Sequence, residues 1–448
     1  MRYFLLFSVL LTTGAIAQKK KAMISDQKPH APVIQKGLSD SALLDLVQRQ
    51  TIKYFWDFAD PVSGMARERN NEAYGYGNEV VTTGGTGFGI MALIVGVQRK
   101  WLPRDTVAGH LLKMVRFLEK ADSYHGVFPH WINGETGKTI PFSRKDDGAD
   151  LVETSFLMQG LLTARQYFNQ NNSRERELRN RINSLWRDIE WNWFTRGNRE
   201  VLYWHWSPNN GWAMNFPLRG YMETLITYVL AASSDQYPVP AAIYNRGWAQ
   251  GIHFLNGKKF YGYTLPLGTD YGGPLFFTHY SFLGLDPKGL KDNYADYWEQ
   301  NVNHTLINRA YCIDNPKHYQ GYGENCWGLT ASDDYNGYDA HSPTNDDGVI
   351  TPTAALSSFP YTPAYSMQVL RHLYEDLGNK IWGEYGFKDA FSISHNWVAD
   401  SYLAIDEGPI VVMIENYRSG LLWKLFMSCP EIQAGLKKLN FTSPYLEK

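Results

Sequence analysis

Three carboxylates recur at helical spacing between Lys145 and Arg165, in KDDGADLVETSFLMQGLLTAR. On a helix over 147–169 and its N-terminal edge, Asp146, Asp150 and Glu153 share one face, which continues through Leu157, Leu161 and Ala164. Acids that point where the core points are costly to ionise together, so this pattern predicts a cleft in which carboxyl groups bind a polar ligand or move protons. The plainer reading is a helix N-terminus decorated with acids to complement the macrodipole. That accounts for Asp146 and Asp147 but not for Glu153, which lies further into the helix. A second acidic group, Asp400, Asp406 and Glu407, precedes a helix that Pro409 starts. Asp406 can cap that helix, or all three can face the ligand from the opposite wall with one of them acting as a base. Glu415 reads as a core acid paired with Arg418 at i+3.

Aromatic residues make up 15% of the chain, with 15 Trp and 29 Tyr. Many lie in polar, Gly-rich segments such as YWHWSPNNGW (203–212) and GYGENCWGLTASDDYNGYD (321–339). A sugar ring has an apolar face and a hydroxyl rim, so aromatic platforms beside carboxylates suit a carbohydrate site. Some of these rings must also fill a large helical core. Trp131 and His130 in FPHWING, His205 in WHW, Trp212 and Tyr338 are the candidates for sugar contact, and the two histidines read as binding or packing groups rather than bases.

A net charge of −2 and a pI near 6.6 exclude nucleic acid or an anionic membrane as the main partner. No Cys/His spacing of metal type occurs, so no metal or organic cofactor is expected. The loop ASDDYNGYDAHSPTNDDG (331–348) is rich in Asp but departs from EF-hand spacing, and it reads as a polar cleft lining. TTGGTGFG lacks the Lys of a P-loop and reads as a place of close backbone approach. No G-x-S-x-G nucleophile motif is present. Cys312 and Cys326 could be bridged or could be buried thiols; Cys429 completes the three.

These side chains need a scaffold, and the patterning is mainly helical. Met1 to Ala17 reads as a cleavable export signal, and 18–38 as a mobile leader. No later stretch is apolar enough to span a membrane. Helices are predicted at 41–58, 84–99, 104–122, 147–169, 173–194, 217–234, 240–255, 275–284, 291–311, 352–376, 388–403, 409–427 and 430–439. Alternate helices are more apolar, and each follows a loop rich in Gly, Asp, Thr or aromatics. Six such pairs predict an all-α toroid, an (α/α)6 barrel over 39–448 forming a single domain, with the acidic loops meeting at one mouth.

The segments GFKDAFSISHNWVADSYLAIDEGPIVVMIENYRSGLLWKLFM (386–427), DDGADLVETSFLMQGLL and TGGTGFG resemble the glucoamylase-domain family of exported bacterial proteins, and within it glycoside hydrolase family 144. The resemblance runs from about residue 40 onward. It implies an (α/α)6 barrel, cleavage of β-1,2-glucan with inversion, and no cofactor. It also implies that the important acids are Asp146, Asp150, Glu153 and a later one at Glu223 in PLRGYMETLITYV. On a helix Glu223 would share a face with Thr227 and Leu230, where burial raises a carboxyl pKa and suits a general acid; Asp150 is its preferred partner. An ion pair between Glu223 and Arg219 at i−4 is the alternative, and Arg219 also counts among the substrate-binding candidates. The expected partner is a β-glucan, bound by a monomer. An α-glucan hydrolase of the same fold and a non-catalytic glycan-binding protein are the rival readings.

Overall fold

The computed structural model describes residues 33–71, 77–250 and 254–446. The export signal and all of the expected leader before residue 33 lie outside the described residues. At 33–38, Ile34 and Leu38 pack against the core, and Tyr374 accepts a hydrogen bond from the Gln35 amide.

Helices apolar on all sides form an inner ring. Every residue of Thr83–Val97 is buried in α2 (Thr83–Gln98), and the same holds for Leu151–Ala164 in α4 (Leu151–Tyr167) and for the whole of α6 (Leu225–Ser233). One-sided helices lie outside them. α1 (Asp40–Trp56) packs between α2 and α12 (Ala404–Ser419); α3 (Arg104–Leu118) and α5 (Ser173–Arg187) turn stripes such as Leu111/Val115/Leu118 and Leu178/Ile182/Leu185 inward. The inner ring runs α2, α4, α6, the short turns Leu275–Thr278 and Ser281–Leu283, α9 (Pro352–Leu356) and α12, which packs back on α2. His279 bonded to the Ser358 hydroxyl and Tyr361 to the Thr278 carbonyl close the step onto α9. Outside these lie α7 (Ala241–Ile243), α8 (Tyr297–Asp314), α10 (Pro363–Arg371) and α11 (Gly378–Ile381), then α13 (Leu421–Met427) and α14 (Pro430–Lys438). The expected toroid is the observed one.

Several elements differ from expectation. TTGGTGFG is the first half of α2, not a loop, and its glycines do bring backbones together. A Cβ on Gly87 would stand 2.1 Å from the Phe156 carbonyl oxygen, and one on Gly160 2.2 Å from that of Gly87. α4 begins at Leu151, with Asp150 as its N-cap, so Asp146 and Asp150 are not on a helix face. α6 begins only at Leu225, leaving Glu223 in the turn before it. The 240–255 and 275–284 helices are reduced to short turns, and 352–376 breaks after Leu356 and restarts at Pro363, whose fixed φ suits a first helical position. Over 388–403 there is no helix: β12 (Phe391–Ser392) pairs with β13 (Trp397–Val398), turned by Asn396 in the left-handed region. α12 starts at Ala404, so Pro409 is inside it and Leu403, not Asp406, is its cap. Glu415 pairs with Arg99 at 2.9 Å, and Arg418 with Asp45. The three cysteines are free and buried.

Small hairpins occupy the loops. β1 (Val80–Thr82), β2 (Trp131–Asn133) and β3 (Thr139–Ile140) form one three-stranded sheet, and β4 (Ala149–Asp150) pairs with β5 (His205–Trp206). β6 (Lys259–Phe260) pairs with β7 (Tyr263–Thr264), β8 (Ala331–Asp334) with β9 (Gly337–Ala340), and β10 (Trp382–Gly383) with β11 (Gly386–Phe387).

The glycine contact between α2 and α4 sets the inner ring spacing. Gly160→Ala is expected to cost at least the usual overpacking penalty of about 1–3 kcal/mol, read as a lower urea midpoint. An unchanged midpoint would show that the two helices can separate freely.

Candidate active site

A cavity of about 360 Å³ opens at the N-terminal ends of the inner helices. Glu153 and Glu223 line it, with His130, Trp131, Phe142 and Trp204 on one side and Phe276, Tyr280 and Tyr338 on the other; Glu68 and Arg69 also reach it. The wall is an aromatic lip. The Phe142 ring centroid lies 4.2 Å from that of His130 and 4.8 Å from that of Trp131.

Asp150 anchors this wall without lining the cavity. As N-cap of α4, one carboxylate oxygen accepts from the Val152 amide at 3.1 Å, the Glu153 amide at 2.9 Å and the Trp204 indole at 2.8 Å. The other accepts from His130 Nδ1 at 3.0 Å. Burial is the largest influence and opposes its charge, but the His130 hydrogen bond, the His205 and His130 charges and the Glu153 amide together overcome it and hold the carboxyl below its ordinary range. His130 in turn loses by burial and gains more from the Glu153 charge and the Asp150 bond, which raise it to about 9. The wall therefore carries an imidazolium.

The other acids are pushed the opposite way. Burial lifts Asp146 to about 7, aided by the Asp150 charge, with His205 Nε2 3.4 Å away. Burial lifts Glu153 to about 7 against the pull of the His130 cation, and one of its oxygens accepts from the Gly84 amide at 2.8 Å, at the start of α2. Glu223 also rises to about 7 by burial, with the charges of Glu153 and Asp150 adding, and its Oε2 has no hydrogen-bond partner among the described residues. Two carboxyls on one cavity, each near neutrality, can hold one proton between them and serve as acid and base.

The family model described as Glycoamylase, "Putative glucoamylase", matches residues 215–430. An exo β-1,2-glucooligosaccharide sophorohydrolase (non-reducing end) of Parabacteroides distasonis is 47% identical over 424 residues, 90% of this chain and 58% of that relative. The chain thus spans less than two thirds of that curated relative's length. A putative glucoamylase of Bacteroides uniformis is 62% identical with a TM-score of 0.90, covering 92% of this chain and all of that one. The chain belongs to the Glycoamylase family. An endo-β-1,2-glucanase of Chitinophaga pinensis, solved with sophorotriose and glucose, is 58% identical with a TM-score of 0.89, covering 92% of this chain and all of that one. A glucoamylase of Saccharomycopsis fibuligera superposes with a TM-score of 0.53 at 10% identity over 88% of this chain and 99% of its own, a likeness of fold alone.

In this Glycoamylase-family chain the remaining predicted site residues divide. Asp406 and Glu407 are buried behind the opposite wall, where Leu403 and Ile405 face the cavity. Asp400 is exposed and accepts from Asn71 at 2.7 Å. Trp212 packs on Tyr203 and Phe194 away from the cavity, and Arg219 is exposed, donating to the Arg246 carbonyl rather than to Glu223. Sequence reasoning missed Glu68, Arg69 and Asp389; it placed Asp333 only within the 331–348 loop read as a cleft lining. Arg69 donates to Asp333 at 2.8 Å and to Glu68 at 2.9 Å; Asp389 accepts from the Asp333 amide at 2.7 Å. Burial, then the Asp333 charge, pushes Asp389 up to about 8, and burial with the Asp389 charge drives Asp406 well up. Arg69 is buried against a partner 264 residues away, which no local pattern around it reveals.

Asp146, Glu153, Glu223 and Asp389 all titrate higher folded than unfolded, as does His130. Their stabilising contribution is complete in acid and is lost as pH rises through about 7 to 9; groups held low contribute with the opposite sign, Asp150 losing its share as pH falls through the carboxylate range and the buried His110, His279 and His304 losing theirs as pH falls below their ordinary value of 6.5. Above about pH 6.5 the raised groups decide the sign, so the urea midpoint should fall between about pH 6.5 and pH 8.5, and fall less in Glu223→Gln. Equal midpoints at the two pH values, or an equal fall in the variant, would contradict these environments.

Proposed function

We propose that the chain is a glycoside hydrolase that cleaves β-1,2-linked glucan by an inverting mechanism, with Glu223 as general acid and Glu153 as general base. The observation that carries this is the pair of buried carboxyls lining one aromatic cavity, Glu223 with one oxygen unbonded among the described residues and Glu153 beside the His130 cation. Glu223 supplies a proton to the leaving oxygen because burial keeps it protonated near neutral pH. His130 favours the ionised form of Glu153, which activates water. Asp150, which sequence alone favoured as the partner, has both oxygens engaged, and its role here is to hold His130, Trp204 and the start of α4. Trp131, Phe142 and Trp204 offer platforms for sugar faces, and Arg69 and Tyr338 offer donors to hydroxyls. The substrate follows the two β-1,2-glucan-active relatives. One domain over 39–448, acting as a monomer and exported by the 1–17 signal, completes the reading; among the described residues no helix is long and apolar enough to cross a membrane.

Incubation with linear β-1,2-, β-1,3-, β-1,4- and α-1,4-glucans should release sugar from the β-1,2 polymer. Release from the α-1,4 polymer alone would instead support the glucoamylase reading, and binding without release would support a glycan-binding protein. Glu223→Gln and Glu153→Gln should each lower kcat by about 10²–10⁴ with the fold intact. Near wild-type turnover in either removes that residue from the pair. Proton NMR of the first sugar released should show the α-anomer; a β-anomer would require a covalent nucleophile.

A further inference from the structure

The β8–β9 hairpin has two faces. Asp333 pairs across it with Tyr338, and both are directed to the cleft, Tyr338 lining the cavity and Asp333 bonded to Arg69. Alternation along the strands puts Asp334 on the opposite face, together with His341 just beyond β9. There the His341 side chain is fully buried, and neither ring nitrogen has a hydrogen-bond partner among the described residues. Buried imidazoles are ordinarily bonded through at least one nitrogen. Its Nε2 lies 3.9 Å from Asp334 Oδ2, and Asp334, His341 and Asp347 each bring one ligand-type atom within 4.8 Å of the others.

We propose that Asp334, His341 and Asp347 bind a divalent transition-metal ion of the zinc type, which ties the hairpin bearing Tyr338 to the 342–348 loop. One imidazole with two carboxylates is a mixed nitrogen and oxygen set. It suits zinc and its neighbours, whereas calcium and magnesium take oxygen donors in larger number. Donors about 2.1 Å from a tetrahedral zinc ion stand roughly 3.4 Å apart, so side-chain movement of about 1 Å closes the set. Asp346 is already committed to Tyr311, Tyr322 and the Gly348 amide, which leaves Asp347 as the loop's ligand. A second His/Asp group, His130 with Asp146 and Asp150, is also compact, but His130 and Asp150 satisfy each other there as an ion pair.

The test uses the purified full chain, stripped with chelator, dialysed and titrated with Zn²⁺ alone by calorimetry at pH 7. One equivalent should bind and the melting temperature should rise with zinc concentration. Both effects should be lost in His341→Gln and in Asp347→Asn and kept in His130→Gln. Asp347 is half-buried on a loop, so its variant separates loss of binding from loss of fold. Absence of binding, binding kept by Asp347→Asn and lost in His130→Gln, or preference for Ca²⁺ over Zn²⁺ would each overturn the assignment. Neither readout involves turnover, so the outcome is independent of the substrate reading.

Discussion

The mouth of the barrel depends on one buried charge. Asp150 gathers four donors from three separate pieces of chain: the α4 amides of Val152 and Glu153, the Trp204 indole and the His130 ring. Breaking a buried charge pair of this kind by removing one partner commonly costs about 3–5 kcal/mol, because the other charge is left uncompensated. The same four bonds fix where α4 begins and so where Glu153 sits, where His130 faces and how Trp204 stands at the wall. Asp150 thus shapes the site from behind, while Glu153 and Glu223 face the cavity.

Around that anchor, burial is uneven in a useful way. Each wall pairs a basic side chain with one acid and sets beside them acids that burial drives toward the neutral form. His130 serves Asp150 on one side, with Asp146, Glu153 and Glu223 raised; Arg69 serves Asp333 on the other, with Asp389 and Asp406 raised. Low solvation amplifies every charge in such a space. The space offers apolar aromatic faces beside carboxyls that can give or take a proton near neutral pH.

The ring of helices was legible because apolar helices such as α2 and one-sided helices such as α5 differ in pattern alone. The acids at 146–153 were legible as a group for the same reason, though not their geometry: Asp150 looks helical by spacing, yet its short side chain stops the helix by capping it. Glu223 was placed through resemblance, since a turn before a short apolar helix carries no signal of its own. Arg69, Asp333 and Asp389 could not be found from spacing, because their environment comes from contacts across 56 to 264 residues of chain. Trp212, Asp400 and Arg219 mark the converse case: polar or aromatic segments near the cleft in sequence whose side chains turn elsewhere. The His341 group was hidden too, as its three ligand candidates follow no familiar metal spacing.

The cavity keeps the carboxyls of Glu153 and Glu223 protonated far above the usual range. Carbon-13 NMR of protein labelled at the glutamate carboxyl, with Glu153→Gln and Glu223→Gln used to assign the two signals, measures this directly. Both carbons should titrate near pH 7, and removal of either acid should lower the midpoint of the other. Midpoints near the ordinary glutamate value of about 4.3 for both, independent of each other, would contradict the account.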